Sequence, residues 1–155
     1  MQDKKRPAWF ALRNEGHKVE IYDPVRRKYV ALTPEEEVRQ KMLRYLVEDS
    51  GVPLGLVAVE YQIKIDRLVK RCDIVVFSRQ GTPLMIVECK SNQVKLDQKT
   101  IEQAALYNIR LKVNYITITN GLQTYCCKRN HNGKSFILLS GLPSYNEMNK
   151  LVGRI

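Results

Sequence analysis

The sequence predicts one α/β (α+β) domain in which a mixed central β-sheet is flanked by helices. Two very apolar strands joined by a short turn form its centre, a helical segment lies on each side of them, and more strands follow the second helix. A helix between the central hairpin and the next strand implies a mixed sheet. Residues 1–155 are expected to form one domain, because no repeat or flexible linker interrupts them.

The other elements are predicted from apolar residues that recur with the period of a strand or a helix. The full set in chain order is a hairpin of strands 18–23 and 28–32, a helix beginning at Thr33, strand 56–65, the central strands 71–77 and 83–90, a helix from Asp97 to Leu111, strands 115–119, 124–128 and 136–139, and a terminal helix over 142–152.

The central hairpin is predicted to turn between Gln80 and Gly81. That register places Asp73 directly opposite Glu88, where like charges are destabilising. Both strands are otherwise apolar on both faces, which is typical of strands in the middle of a covered sheet. A bound divalent cation would offset the repulsion, because hard cations take carboxylate ligands.

Two further residues of this hairpin extend the predicted site. The same register places Arg71 opposite Lys90, and Lys90 shares a face with Glu88 because side chains alternate along a strand. Two acids and a lysine on one face outline a metal-dependent phosphodiester-cleaving site, with Mg²⁺ as cofactor and Mn²⁺ as a substitute. The backbone carbonyl of Cys89 is a further candidate ligand. The alternative is a structural ion network among the same side chains, which the cost of desolvating charges disfavours.

The first helix offers a third carboxylate. Thr33 suits the N-cap, Glu36 completes a capping box, and Gly51 marks the end. At 100° per residue, Glu35 falls within the apolar stripe of the helix, so this side chain is predicted to reach the site. The alternative is a solvent-exposed Glu35 in the first turn, favoured there by the helix dipole.

The second helix carries Gln103 and Tyr107 one turn apart on one face, where they could position phosphate or a base. The alternatives are a capping box between Gln103 and Thr100, and a partly buried core position for Tyr107.

Composition narrows the function classes. The chain has 26 Lys and Arg against 16 Asp and Glu, a net charge of +10 that favours nucleic acid as partner over the alternative of mere solubility. Four cysteines without C-x-x-C spacing and two histidines argue against a zinc site. No apolar run is long enough for a membrane span, so no membrane partner and a cytoplasmic location are expected.

Three ordered motifs resemble the PD-(D/E)xK nuclease superfamily: R-x-D-I at Arg71–Ile74, I-V-E-C-K at Ile86–Lys90 and Q-x-x-x-Y at Gln103–Tyr107. More narrowly, the chain resembles the N-terminal nuclease domain of type I restriction enzyme R subunits over about residues 20–130. The motifs that carry this narrower resemblance are T-P-E-E-x-V-R-Q at Thr33–Gln40, A-V-E-Y at Ala58–Tyr61 and T-N-G at Thr119–Gly121.

The resemblance implies a restriction-endonuclease-like fold and a Mg²⁺-dependent deoxyribonuclease, in which Asp73 and Glu88 bind metal and Lys90 is catalytic. It also matches Glu35 to the first-helix acid of the family.

For the DNA strand, the resemblance implies positioning by Gln103 and Tyr107, and we add Arg71 to that group. Its partners would be DNA and either a second copy of the chain or a protein that supplies a motor. Cys72 stands where the superfamily often has Pro. The rival hypothesis is a catalytically silent nucleic-acid-binding or assembly module of the same fold.

Overall fold

The computed structural model describes residues 6–150, which form two β-sheets and three α-helices. The predicted fold class is confirmed. The small sheet contains β1 (Leu12–Glu15), β2 (Lys18–Asp23) and β3 (Lys28–Ala31). The large sheet contains β4 (Val57–Ile65), β5 (Leu68–Phe77), β6 (Pro83–Cys89), β7 (Tyr115–Thr119), β8 (Thr124–Arg129) and β9 (Phe136–Leu138). The helices are α1 (Pro34–Glu48), α2 (Gln98–Tyr107) and α3 (Tyr145–Lys150).

The large sheet runs in chain order from β4 to β9. Every neighbouring pair is antiparallel except β6 and β7, which are parallel and are connected through α2. A parallel pair needs such a crossover, whereas antiparallel neighbours can be joined by short turns. The mixed sheet therefore arises where the sequence predicts it.

Helices cover both faces of the large sheet. On one face, α1 and α3 pack against side chains such as Ile74 and Val87, both of which are fully buried. On the other face, Ile101 of α2 packs with Val75 and Ile86. Residues adjacent along β5 thus enter different cores, which explains why the strand is apolar on both sides.

The start of α1 agrees with its sequence signals. The Thr33 side chain accepts a hydrogen bond from the Glu36 N–H at 3.0 Å, and Pro34 is the first helical residue. Beyond the helix, Gly51 adopts φ +78°, a conformation that favours glycine over residues with a Cβ.

Several boundaries differ from the prediction, and α3 begins at Tyr145 rather than at residue 142. Helix α2 begins after Asp97, which exchanges capping hydrogen bonds with Thr100, so the alternative of a Gln103–Thr100 capping box is wrong. The helix ends at Tyr107 and a 3-10 turn covers Ile109–Leu111. Strand β5 begins at Leu68, earlier than predicted. Strand β1 was not predicted, and of the predicted terminal helix, residues 151–152 lie outside the described part.

The cysteines are buried free thiols. Cys126 enters the core under α1 and Cys127 the core under α2, as alternation along β8 requires. Within residues 6–150, no helix is both long and apolar enough to cross a membrane.

Candidate active site

The central hairpin has the predicted register, but only over part of its length. Ile74 pairs with Val87 and Val76 with Met85, and a bulge follows Val76 before the turn. The turn is closed by a hydrogen bond from the Ser78 N–H to the Thr82 carbonyl at 2.8 Å. Pairing between β5 and β6 stops at Ile74 and Val87, one residue before the two predicted metal ligands.

Beyond that point the large sheet forks. Strand β5 continues to pair with β4 as far as Leu68 and Ile65, while β6 continues to pair with β7 as far as Cys89 and Thr119. The fork therefore opens between β5 and β6, with Asp73 on one side and Glu88 on the other.

A second irregularity lies on the opposite edge of β5. The pairing of β4 with β5 skips Glu60 and Asp73, and Glu60 has φ +53°, which is strained for a residue other than glycine. Asp73 is therefore bordered by interrupted pairing on both sides. Such strain in a non-glycine residue is concentrated at functional sites.

The Asp73 carboxylate replaces part of the lost pairing. Its Oδ2 accepts the backbone N–H of Cys89 at 2.7 Å, so a side chain satisfies a donor that no longer meets a carbonyl of β5. Its Oδ1 lies 3.5 Å from Nη2 of Arg39 on α1. The carboxylate is thus held at the root of the fork, with 28% of the side chain exposed.

Glu88 is held by a different cation. The Lys70 Nζ donates to its Oε1 at 2.9 Å, and the same ammonium lies 4.6 Å from the centre of the Tyr107 ring. Tyr107 is 70% exposed, so the alternative of a core position for this residue is wrong. Gln103 is also exposed on α2.

Lys90 follows the last residue of β6 with its side chain exposed, and its backbone N–H donates to the Thr119 carbonyl at 2.8 Å. The predicted pairing of Arg71 with Lys90 is wrong, because the strands have already separated. Arg71 instead lies opposite Gln62 on β4, and its Nη2 contacts Glu60 at 3.1 Å.

The prediction that Glu35 lies on the apolar stripe of α1 is wrong, although the stripe itself, Val38, Met42 and Leu46, is buried as predicted. Glu36 is the buried acid, with 6% exposure, and Glu35 is exposed. The reason is long-range: Arg26, from the turn after β2, and Arg39 both bind the Glu36 carboxylate. The Glu36 side chain is therefore used in ion pairs rather than in the predicted capping box.

Glu35 nevertheless remains close to the site. It lines a cavity of about 330 Å³ together with Glu36, Arg39 and Glu60. Its charge also contributes, with that of Asp73, to the raised pKa of the Cys89 thiol, for which burial is the largest cause. The predicted catalytic role of Glu35 stays a prediction.

Comparison with known proteins shows the family of this chain. The family described as "Type I restriction enzyme R protein N terminus (HSDR_N)" matches residues 34–143, more than half of the chain. The chain belongs to this family. No curated protein sequence matches the chain.

One solved structure similar to this HSDR_N chain is a fragment described as an HsdR subunit of a type I restriction enzyme from Vibrio vulnificus YJ016. The two share a fold with a TM-score of 0.55 at 21% identity. The match covers 78% of this chain and 25% of the other, so this chain spans about a quarter of that chain's length.

The donor atoms at the fork of this HSDR_N domain suit a hard divalent cation. Asp73 and Glu88 supply carboxylate oxygens, and Mg²⁺ is commonly held by one or two carboxylates together with water and substrate phosphate. Within residues 6–150, no group of three or more His, Cys, Asp or Glu side chains is arranged to hold a metal ion. A cation bound here would therefore take its remaining ligands from the backbone, water or substrate.

Two thiols border the fork without offering ligands. Burial raises the pKa of the Cys72 thiol to about 11, and it raises the pKa of the Cys89 thiol further. Both thiols are protonated at neutral pH, whereas the thiolate is the form that binds metal.

Sequence reasoning missed two cations of the site, Lys70 and Arg39. Arg39 carries a detectable signal, because it interrupts the buried face of α1 between Val38 and Met42. Lys70 carries none, since its contact with Glu88 depends on how β5 twists after the two strands part.

Proposed function

We propose that this chain is a Mg²⁺-dependent nuclease domain that hydrolyses DNA phosphodiester bonds in restriction or a related DNA-processing system. The observation that carries the proposal is the fork, because Asp73 and Glu88 are the first residues beyond the point where β5 and β6 stop pairing, and Lys90 is two residues after Glu88. Membership of the HSDR_N family supports the restriction context. The motif set supports a PD-(D/E)xK nuclease with a restriction-endonuclease-like fold.

In this proposal, Asp73 and Glu88 hold the metal ion, with Mn²⁺ as a substitute and the Cys89 carbonyl as a further ligand. When bound, Mg²⁺ neutralises charge on the phosphate and makes a coordinated water a better nucleophile. Lys90 orients the attacking water or stabilises the charge that develops on the phosphate. Arg39 holds Asp73 in place through its contact at 3.5 Å, and Glu35 supplies a further carboxylate from α1.

DNA would lie across the open side of the fork. Gln103 and Tyr107 are both exposed on α2, and Arg71 has 64% of its side chain exposed, so all three are accessible to a DNA strand. The net charge of +10 favours contact with the phosphate backbone regardless of sequence. Binding should therefore weaken steeply as salt concentration rises.

The proposed partners are DNA and either a second copy of the chain or a protein that supplies a motor. Membership of the HSDR_N family supports a partner from a restriction system. A cytoplasmic location fits contact with DNA.

The experiment that tests the proposal is nicking of supercoiled plasmid with Mg²⁺ or Mn²⁺. The wild type should nick the plasmid, and Glu88→Gln and Lys90→Ala should each reduce the rate at least roughly 100-fold. Lys64→Ala is the matched control, because Lys64 is an exposed lysine of β4 that is paired with Val69. Equal nicking by all four proteins would exclude the proposed site.

A catalytically silent DNA-binding module is the second candidate, and one observation favours it. Each acid of the fork already has a cationic partner, Arg39 for Asp73 and Lys70 for Glu88. Paired in this way, the acids would be stable without metal. Salt-sensitive DNA binding by the wild type, with no nicking in Mg²⁺ or Mn²⁺, would support this candidate over the nuclease.

A further inference from the structure

Lys70 connects two residues of the proposed site that come from different elements. Its Nζ donates to Glu88 of β6 at 2.9 Å and lies 4.6 Å from the ring centre of Tyr107 on α2. An ammonium over a tyrosine ring is attracted by the negative face of the ring. Lys70 itself lies on β5, so one side chain bridges the open fork.

The burial of Lys70 is unusual for a lysine. Only 15% of its side chain is exposed, against 23% for Glu88. Lysines are rarely this buried unless they are paired, because removing an ammonium from water is costly. The pair with Glu88 is therefore the reason that Lys70 can lie in the fork.

The geometry of the ion pair places Lys70 within the site. Its ammonium lies 2.9 Å from the Oε1 atom of Glu88, one of the two proposed metal ligands. Lys70 thus adds positive charge where a divalent cation bound to Glu88 would also have to sit.

We propose that Lys70 is a positioning residue that acts as the internal counter-ion of Glu88, and that a divalent cation must displace its ammonium in order to bind. This inference rests on the proposed metal site. The lysine keeps Glu88 neutralised and aimed into the fork while no metal is bound. Its flexible four-carbon chain allows the ammonium to move without moving β5.

Tyr107 determines where the displaced ammonium goes. Its ring already contacts Lys70 and is 70% exposed, so the ammonium can keep this contact when it leaves Glu88. Metal binding then removes the carboxylate partner of a cation that lies beside Tyr107, so its charge is free to attract DNA at this surface. Occupation of the site and attraction of the phosphate backbone are thereby coupled.

The test is a calorimetric titration of the DNA-free protein with Mn²⁺. Lys70→Met keeps most of the apolar stem and removes the charge, so it should tighten Mn²⁺ binding roughly three- to tenfold, the size expected from loss of a partly buried competing ion pair. Lys64→Met, on an exposed residue of β4, should leave the affinity unchanged. Glu88→Gln should abolish or strongly weaken binding.

If the ion pair between Lys70 and Glu88 is only structural, the titration gives a different result. Lys70→Met would then lower the melting temperature and leave Mn²⁺ affinity unchanged or weaker, which would overturn the inference. Lys70→Gln is the second variant, and it should also tighten binding. It decides the question if Lys70→Met does not fold.

Mn²⁺ binding by the wild type distinguishes failure of this inference from failure of the proposed function. Mn²⁺ binding that requires Glu88 but does not respond to loss of Lys70 charge would overturn the role of Lys70 and leave the metal site standing. No Mn²⁺ binding by the wild type or by any Lys70 variant would overturn both.

Discussion

The two halves of β5 differ in what they do. In the closed half, from Ile74 to Phe77, the residues Ile74, Val75 and Val76 pair with strands on both sides and have no solvent exposure. In the open half, from Leu68 to Asp73, pairing is with β4 alone and is interrupted at Asp73, and this half carries Lys70, Arg71 and Asp73. One continuous strand thus serves as core at one end and presents charged groups at the other.

The difference shows how a charged site is placed in the middle of an apolar sheet. A buried backbone group needs a hydrogen-bond partner, so two strands can stop pairing only where another group replaces the lost backbone partner. Here the Asp73 carboxylate accepts the hydrogen bond of the Cys89 N–H at 2.7 Å. The point at which pairing between β5 and β6 ends is therefore also the point at which the charged side chains begin.

The largest effect is expected from removing core volume in the closed half. Ile74→Ala should lower the free energy of unfolding by about 2–5 kcal/mol, because it leaves a cavity in a fully buried position. Val69→Ala in the open half, where Val69 is 55% exposed, should change it by less than about 0.5 kcal/mol. Urea denaturation measures both, and equal losses would contradict the distinction between the halves.

The next effect separates chemistry from stability in the open half. Asp73→Asn should reduce plasmid nicking at least roughly 100-fold, since the neutral amide is a poor metal ligand. The amide oxygen can still accept the Cys89 N–H, so the melting temperature should change little. Nicking at the wild-type rate would show that Asp73 is a structural residue alone.

A smaller effect tests the cations that support the open half. Arg39 is 7% exposed and contacts Glu36, Glu60 and Asp73. Arg39→Met should destabilise the fold by roughly 1–3 kcal/mol, because the buried Glu36 carboxylate loses one of its two cationic partners. Arg44→Met, on the exposed side of the same helix, is the control and should remain within about 0.5 kcal/mol in thermal denaturation.

The smallest effect is expected from two buried thiols, one in the open half of β5 and one in β8. Burial raises the thiol pKa to about 11 for Cys72 in the open half and to about 12 for Cys126 in β8. The folded protein keeps these protons where the unfolded chain, with thiols near 9.0, loses them. Their contribution to stability is therefore present below about pH 9 and is lost as pH rises through the folded values.

Melting temperature measured from pH 8 to 10.5 checks this prediction (the range is roughly that of free thiol titration). The melting temperature should fall less steeply with pH in Cys126→Ala than in the wild type. Cys72→Ala should also reduce this slope, but by a smaller amount. A decline of the same slope in all three proteins would show that other groups cause it.

Local signals were sufficient for much of the fold. The turn at Gln80–Gly81 and the apolar character of β5 and β6 predicted the register that pairs Ile74 with Val87. Thr33 predicted the start of α1 because capping depends on residues within one turn. Strand β1 escaped prediction because all its residues are exposed and so lack an apolar alternation.

Features that depend on distant residues could not be predicted in this way. Helix phase alone favoured Glu35, but Arg26, from another part of the chain, makes Glu36 the buried acid. The contact between Lys70 and Glu88 similarly requires the strands to separate and twist, which neither local sequence encodes. Asp73 and Glu88 were predicted as metal ligands because their charge conflicts with the apolar strands around them, and this role stays a prediction.

The paired segment of the β5–β6 hairpin also decides which residues border the opening. Asp73 and Glu88 come directly after Ile74 and Val87, the last residues that pair there. Because side chains alternate along a strand, a slip of one residue in this short ladder would exchange both acids for apolar neighbours. The register of three residue pairs therefore constrains the evolution of the two carboxylates as strongly as their own codons do.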